Sequence, residues 1–262
     1  MATNNATNTS NPITVPQGGT GTSTMTPYAV ICGGVTSTSA LQDIGSVGRS
    51  GEVLTSNGAS ALPSFQGPSS GNGFTSINIQ TFTGSGTYTP TANATSIIVE
   101  LVGGGGNGGT GNSSGSGGGG GGAGGYSRIH INSPSSQTVT IGSAGGSTSF
   151  GSIISATGGA NGDNGASSGA SAQGGTSGTG SSGDININGG AGGFGVESGG
   201  SSSGGGTGGS SYFGGGGRGG VGNNGDNGQA YGSGGGGGGG NASTSGGTGA
   251  SGVCIVTEFI HS

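Results

Sequence analysis

Apolar side chains along this chain come in short alternating pieces and never in a helix-length stripe. The pieces are FTSINIQTF (74–82), SIIVELVGGGG (96–106), GGYSRIHINSP (124–134), QTVTIGSAG (137–145), STSFGSIISATGG (147–159) and SGVCIVTEFI (251–260). Alternation in YSRIHI and QTVTI predicts half-buried antiparallel strands, because successive side chains of a strand point to opposite faces. The stretch GSGTYTPTANAT between the first two pieces reads as a turn-rich connection. The expected fold is all-β: a small sandwich over 74–262 whose last strand returns after a very long excursion.

Residues 14–66 have a weaker pattern. Short β-prone pieces (YAVICGG, ALQDIG, GEVLTSNG and LPSFQ) alternate with glycine and Ser-Thr punctuation, and Asn57-Gly58 predicts a two-residue hairpin turn. Each piece offers two or three apolar side chains: Tyr28, Val30 and Ile31; Leu41 and Ile44, with Val47; Val53 and Leu54; Leu62 and Phe65. One copy cannot offset backbone ordering at ~1–2 kcal/mol per residue with so little apolar surface. Several copies wound about an axis can, each supplying one wall of a shared core. These residues are therefore the candidate oligomer core, with 1–13 a flexible or partner-bound leader and 67–73 a linker.

Composition sharpens the picture. Of 262 residues 77 are Gly, only 4% are charged, and the net charge is −5, with three Arg and no Lys. A basic nucleic-acid footprint is excluded, since three scattered Arg cannot neutralise a run of phosphates. Glycine is concentrated in two excursions, 103–125 and 158–252. Two readings stand: mobile glycine-rich polymer, or extended polyproline-II-like runs packed side by side, which the absence of Cβ permits. The chain keeps no overall Gly-X-Y phase, and the runs Gly117–Gly122 and Gly234–Gly240 fit any phase.

Two resemblances bear on function. QGGTGTSTMTPYAVICGG, then ALQ, then GEVLTSNGASALPSFQ resembles the repeat segment of bacteriophage tail fibres and related virion fibre proteins. That resemblance covers about fifty residues; it implies parallel homotrimers and a place on a virus particle, with other virion proteins met through the N-terminal region. The segments FTGSGTYTP, IIVELVGGGGNGG, GGGGGGAGGYSR and SGVCIVTEF follow, in order, the pattern of glycine-rich domains at the C-terminal ends of phage and bacterial surface proteins. This second likeness spans 74–262 and is partly compositional.

Catalytic and metal chemistry is hard to find. Cys32 and Cys254, each in an apolar setting, read as buried or half-buried thiols. His130 and His261 read as structural or surface residues, with no zinc spacing around them. No Ser-His-Asp arrangement, phosphate loop or paired carboxylates can be singled out, so an enzyme is not expected, nor a cofactor. NGDNG occurs at 161–165 and 224–228, where Asp163 and Asp226 are weak Ca2+ candidates and a turn is the favoured reading. Aromatic rings amid glycine supply contact area at little rotamer cost. Tyr212, Phe213 and Tyr231, with Arg218 nearby, are candidate receptor contacts, while Phe150 and Phe194 are expected to plug gaps between glycine strands.

No membrane span and no ordinary secretory signal are expected, and release within a virus particle reconciles that with an extracellular role. The expected function is a homotrimeric virion fibre that attaches to a glycan or protein on the host surface. The alternative is a purely structural filament or matrix protein polymerising through its glycine-rich region.

Overall fold

The computed structural model describes residues 13–15, 19–68, 74–167, 170–197, 203–240 and 243–261, and among them every regular element is a strand. The chain divides into two units, 1–73 and 74–262. In the first, β1 (Ile31–Cys32) pairs antiparallel with β2 (Gln42–Asp43), and β3 (Val53–Thr55) with β4 (Ser64–Gln66). Two-stranded ribbons this short are not stable alone in water. The expected turn at Asn57-Gly58 is instead part of a longer loop from Ser56 to Pro63. Asn57 holds that loop through its side chain, donating to the Leu62 carbonyl at 2.7 Å and accepting from Gln66 Nε2 at 2.9 Å. The expected leader over 1–13 lies almost wholly outside the described residues, as does most of the linker.

The second unit is a sandwich. One sheet has the order β12-β11-β10-β9-β6, the other β13-β8-β7-β14-β5. Their ranges are β5 (Phe74–Phe82), β6 (Gly86–Tyr88), β7 (Ala94–Val102), β8 (Tyr126–Asn132), β9 (Gln137–Thr140), β10 (Thr148–Phe150), β11 (Ile154–Ala156), β12 (Gly180–Ser181), β13 (Ile185–Ile187) and β14 (Val253–His261). The last strand does return from a long excursion, to lie between β5 and β7. Pattern reading missed β6, inside the supposed connection, and β12 and β13, inside the supposed glycine excursion.

Period-two burial explains the core. Ile97, Val99 and Leu101 of β7 and Cys254 and Val256 of β14 point inward onto Tyr88, Val139, Phe150 and Ile154. Phe150 is thus a sandwich-core residue, 5.3 Å from the Tyr88 ring, and not a plug between glycine strands. Glu258 continues the inward face of β14 and is fully buried. It accepts from Tyr88 Oη (2.8 Å), Thr91 N (2.9 Å), Thr91 Oγ1 (2.6 Å) and Asn78 Nδ2 (2.6 Å). Burial by itself would push this carboxyl up, but the donors, those of Thr91 foremost, pull it down to about 2.

Beyond the sandwich the glycine segments form extended runs in a bundle, and one run, 117–125, shows the rule. Amides of Gly117, Gly120 and Ala123 donate to the carbonyls of Val196, Gly193 and Gly190. Those of Gly118, Gly121 and Gly124 donate to Gly238, Gly235 and Gly232, and those of Gly119, Gly122 and Gly125 to Asp163, Ala160 and Thr157. Direction of bonding rotates every three residues, which is the period of a polyproline-II helix. Such a helix makes no internal hydrogen bonds, so its backbone is free to bond to neighbours.

Carbonyls of the same run accept from three further segments. Gly119, Gly122 and Gly125 accept from Gly109, Gly106 and Gly103; Gly118 and Gly121 from Gly206 and Gly209; Gly120 and Ala123 from Gly175 and Gly178. Run 117–125 is therefore enclosed by neighbours on all sides, and each of its residues is buried. Run 232–240 is enclosed in the same way, bonded to 203–209, 103–111, 223–228, 117–125, 215–221 and 244–251. A Cβ on Gly121 would lie 2.0 Å from the Gly106 oxygen. That close approach is why the enclosed runs are almost pure glycine.

Outer runs need glycine only where they face inward. In 157–165 the inward positions are Gly159, Gly162 and Gly165, backed against the carbonyls of Gly122, Gly119 and Ser116. A Gly-X-Y phase therefore holds inside one run and is reset at each turn, which hides it in the whole sequence. The NGDNG segments lie in straight runs and not in turns. Asn161 and Asn164 Oδ1 accept the amides of Asn107 and Thr110, and Asn224 and Asn227 Oδ1 accept those of Ser245 and Thr248, at 2.8–2.9 Å. In both motifs, asparagines one turn apart satisfy amides of the adjacent run.

Candidate functional site

Large exposed apolar side chains are rare on the bundle, and most lie on one face. Runs 189–197, 204–210 and 215–221 are neighbours: Gly193 N donates to Thr207 O, Val196 N to Gly204 O, Gly208 N to Gly217 O and Gly205 N to Gly220 O. Their outward positions, every third residue, carry Phe194, Thr207, Arg218 and Val221. Phe194 and Val221 are each 67% exposed, and Val196 beside them is also exposed. Backbones joined by hydrogen bonds, with no Cβ between them, make a flat and stiff mount for these side chains.

At the sandwich end of this face lies an aromatic cluster. Run 204–210 turns back at Ser211–Gly214, whose end residues exchange backbone hydrogen bonds of 2.9 and 3.3 Å. The turn projects Tyr212 onto Tyr126, the first residue of β8, with centroids 3.8 Å apart and planes 19° from parallel. Phe213 meets Tyr212 edge-on at 5.4 Å. Tyr126 is buried and donates its hydroxyl to Glu100 Oε1 at 2.6 Å. Burial first, then the Glu100 carboxylate, push its phenol well above the ordinary value, so it stays a neutral donor. One face of the Tyr212 ring is covered by Tyr126 and Phe213 meets the ring edge-on, yet Tyr212 remains 55% exposed.

Tyr231 belongs to the same end. Ser211 Oγ donates to its carbonyl at 2.6 Å, and Tyr231, Phe213, Gln229 and Ser251 line an open groove of ≈ 630 Å³. The structure thus brings Tyr212, Phe213 and Tyr231 together and sets Arg218 apart, about one turn along the next run, with Phe194 and Val221. Phe194 does not plug a gap; it faces outward. Tyr126 and Val221 were not singled out in the sequence, and Phe194 was read there as a plug. For Phe194 the signal was a ring three residues after Ala191 in AGGFGV, since the outward side chain of such a run recurs every three residues.

Asp163 and Asp226 are exposed, and their backbones are used in run-to-run hydrogen bonds. Among the described residues no group of three or more His, Cys, Asp or Glu is placed to hold a metal ion. Cys254 is buried, which pushes its thiol up to about 12, and Cys32 is half-buried. Among the described residues no helix is long and apolar enough to cross a membrane.

The candidate oligomer core is found at the surface of the single chain. Tyr28 is 98% exposed and holds a left-handed φ of 64°, a costly conformation for a bulky residue. Ile31, Val53 and Leu54 are exposed, while Val30, Leu41, Ile44, Leu62 and Phe65 are half-buried. Adjacent residues Val53 and Leu54 point to opposite faces of β3, so both faces of that ribbon are open.

The chain matches no protein-family model and no curated protein.

Proposed function

We propose that this protein is a homotrimeric virion fibre whose N-terminal unit is the stem and whose glycine bundle displays a contact face for a glycan or protein of the host surface. One observation carries the reading: none of the described residues between Ile13 and Pro68 is buried, although this stretch holds apolar side chains at regular intervals. Exposed apolar surface on so thin a scaffold marks an association site. Identical copies are the natural cover for it, and the tail-fibre resemblance of the same residues supports three. The contact face on Phe194, Arg218, Val221 and the Tyr212 cluster supplies rigid aromatic anchors of the kind that dominate recognition.

Polymerisation through the glycine-rich region would need open backbone edges. Amides of the two enclosed runs, 117–125 and 232–240, already donate within the chain and leave no open edge there.

Light scattering of the full chain tests the proposal; three chain masses are expected, and a monodisperse monomer at micromolar concentration overturns it. For the contact face, Phe194→Ser combined with Tyr212→Ala should weaken adsorption to host cells by roughly tenfold or more, the loss of one or two anchors, with the oligomer intact. Unchanged adsorption moves the receptor contact elsewhere.

A further inference from the structure

The sheet β13-β8-β7-β14-β5 has a second face, turned away from the core. Two cross-strand rows there are of interest. His130, Ile98, Thr257 and Ile79 lie side by side across β8, β7, β14 and β5, and Ser96, Phe259 and Ile77 form the next row. Ile79 on the edge strand is 60% exposed. A shallow hollow is lined by Ile77, Ser96, Ile98, His130, Phe259 and His261, with the small Ser96 between larger neighbours. Between β8 and β5 these rows contain no carboxylate, guanidinium or ammonium group. Charge on this face begins one row nearer the bundle, with Arg128 and Glu100, and at the β8 edge, where Asp184 accepts the His130 amide at 2.9 Å.

We propose that this face docks on a second copy of the same chain, Ile79 of one copy seating in the hollow over Ser96 of the next. The inference rests on the stem reading given above. Three features select this occupant. Rows without a carboxylate, guanidinium or ammonium group can meet their own copy without repulsion between such charges, whereas an anionic membrane or an acidic partner would call for the lysines and arginines that these rows lack. A projection and a hollow on one surface suit a ring, in which every copy gives one contact and receives one. Finally, eleven residues separate Gln66, the end of the stem's last strand, from Ile77, a span of at most about 40 Å. Copies joined at the stem therefore hold these faces at the millimolar effective concentration of a short tether.

Cysteines at two positions of one row give the test. Within a chain Ile79 and His130 are three inter-strand spacings apart, about 14 Å, beyond the ~7 Å Cα reach of a disulfide. In a full-length Cys32→Ser background, Ile79→Cys with His130→Cys should form interchain disulfides under mild oxidation, giving a ladder that ends at three chains. Either cysteine alone should give little of that ladder. If light scattering reports an oligomer and the double variant stays uncrosslinked, the docking is wrong and the stem stands. If the unmodified chain is monomeric, the stem reading fails and the docking falls with it.

Discussion

Single residues decide two features of the sandwich and bundle. Glu258 ties β14 to the Tyr88–Thr91 turn and to β5, joining the FTGSGTYTP and CIVTEF segments that stood far apart in the sequence. Its folded carboxyl titrates at about 2, below the ordinary 4.5. A depressed acid stabilises the fold fully above the unfolded value, and the contribution fades as pH falls from about 4.5 toward 2. Glu258→Gln turns an amide donor toward existing donors and should cost about 2–4 kcal/mol near neutral pH. Thermal melts of both proteins should converge below about pH 3; a constant gap down to pH 2 would show that the charge is not what stabilises. Glycine makes the second test. Gly121→Ala places a methyl 2.0 Å from a backbone oxygen and should cost about 3 kcal/mol or abolish folding, while Gly215→Ala, with nothing within 4 Å, should change stability by less than about 0.5 kcal/mol. Equal effects in urea titrations would contradict close packing of the runs.

At the scale of elements, the sequence was most legible where burial alternates. Strand β5 matches its apolar piece end to end, β8 and β14 lie within two residues of theirs, and β7 begins two residues before its piece and stops where the glycines begin, because their inward faces need large side chains and their outward faces do not. Strands β12 and β13 were hidden: GS and INI are short, and their pairing with β11 and β8 is set by distant partners. The glycine runs were legible in composition but not in arrangement. Pure-glycine stretches look phaseless, yet they are the enclosed runs, where every direction faces a neighbour. The candidate contact face was half legible; rings could be seen, but which of them point outward depends on a three-residue phase that restarts at each turn. Amide hydrogen exchange checks the arrangement. Amides of 117–125 and 232–240 should exchange at least about a thousandfold more slowly than unstructured peptide, and Ser245 and Thr248 should lose protection when Asn224 and Asn227 are replaced by Ala. Free exchange through both enclosed runs would mean that the bundle does not hold together in solution.

For the whole molecule, the two units differ in what holds them. The sandwich and bundle contain a buried core and a dense backbone hydrogen-bond lattice, both made within one chain. The stem has pairing without burial: Leu54 faces Phe65 across β3 and β4, yet Leu54 remains exposed. On the fibre reading proposed above, its stability comes from association and depends on concentration. Two thermal transitions follow, the stem's rising with protein concentration and the second unit's changing far less. Leu54→Asp sets a charge into the surface that copies share on that reading, where an unpaired buried carboxylate is strongly disfavoured. The variant should lower the stem transition or remove it, while the melting of the second unit persists with the near-ultraviolet signature of its buried tyrosines, Tyr88 and Tyr126, intact. A stem transition that is sharp, independent of concentration and indifferent to Leu54→Asp would mean that one chain suffices to fold it, and association would no longer be needed to explain why its apolar side chains lie open.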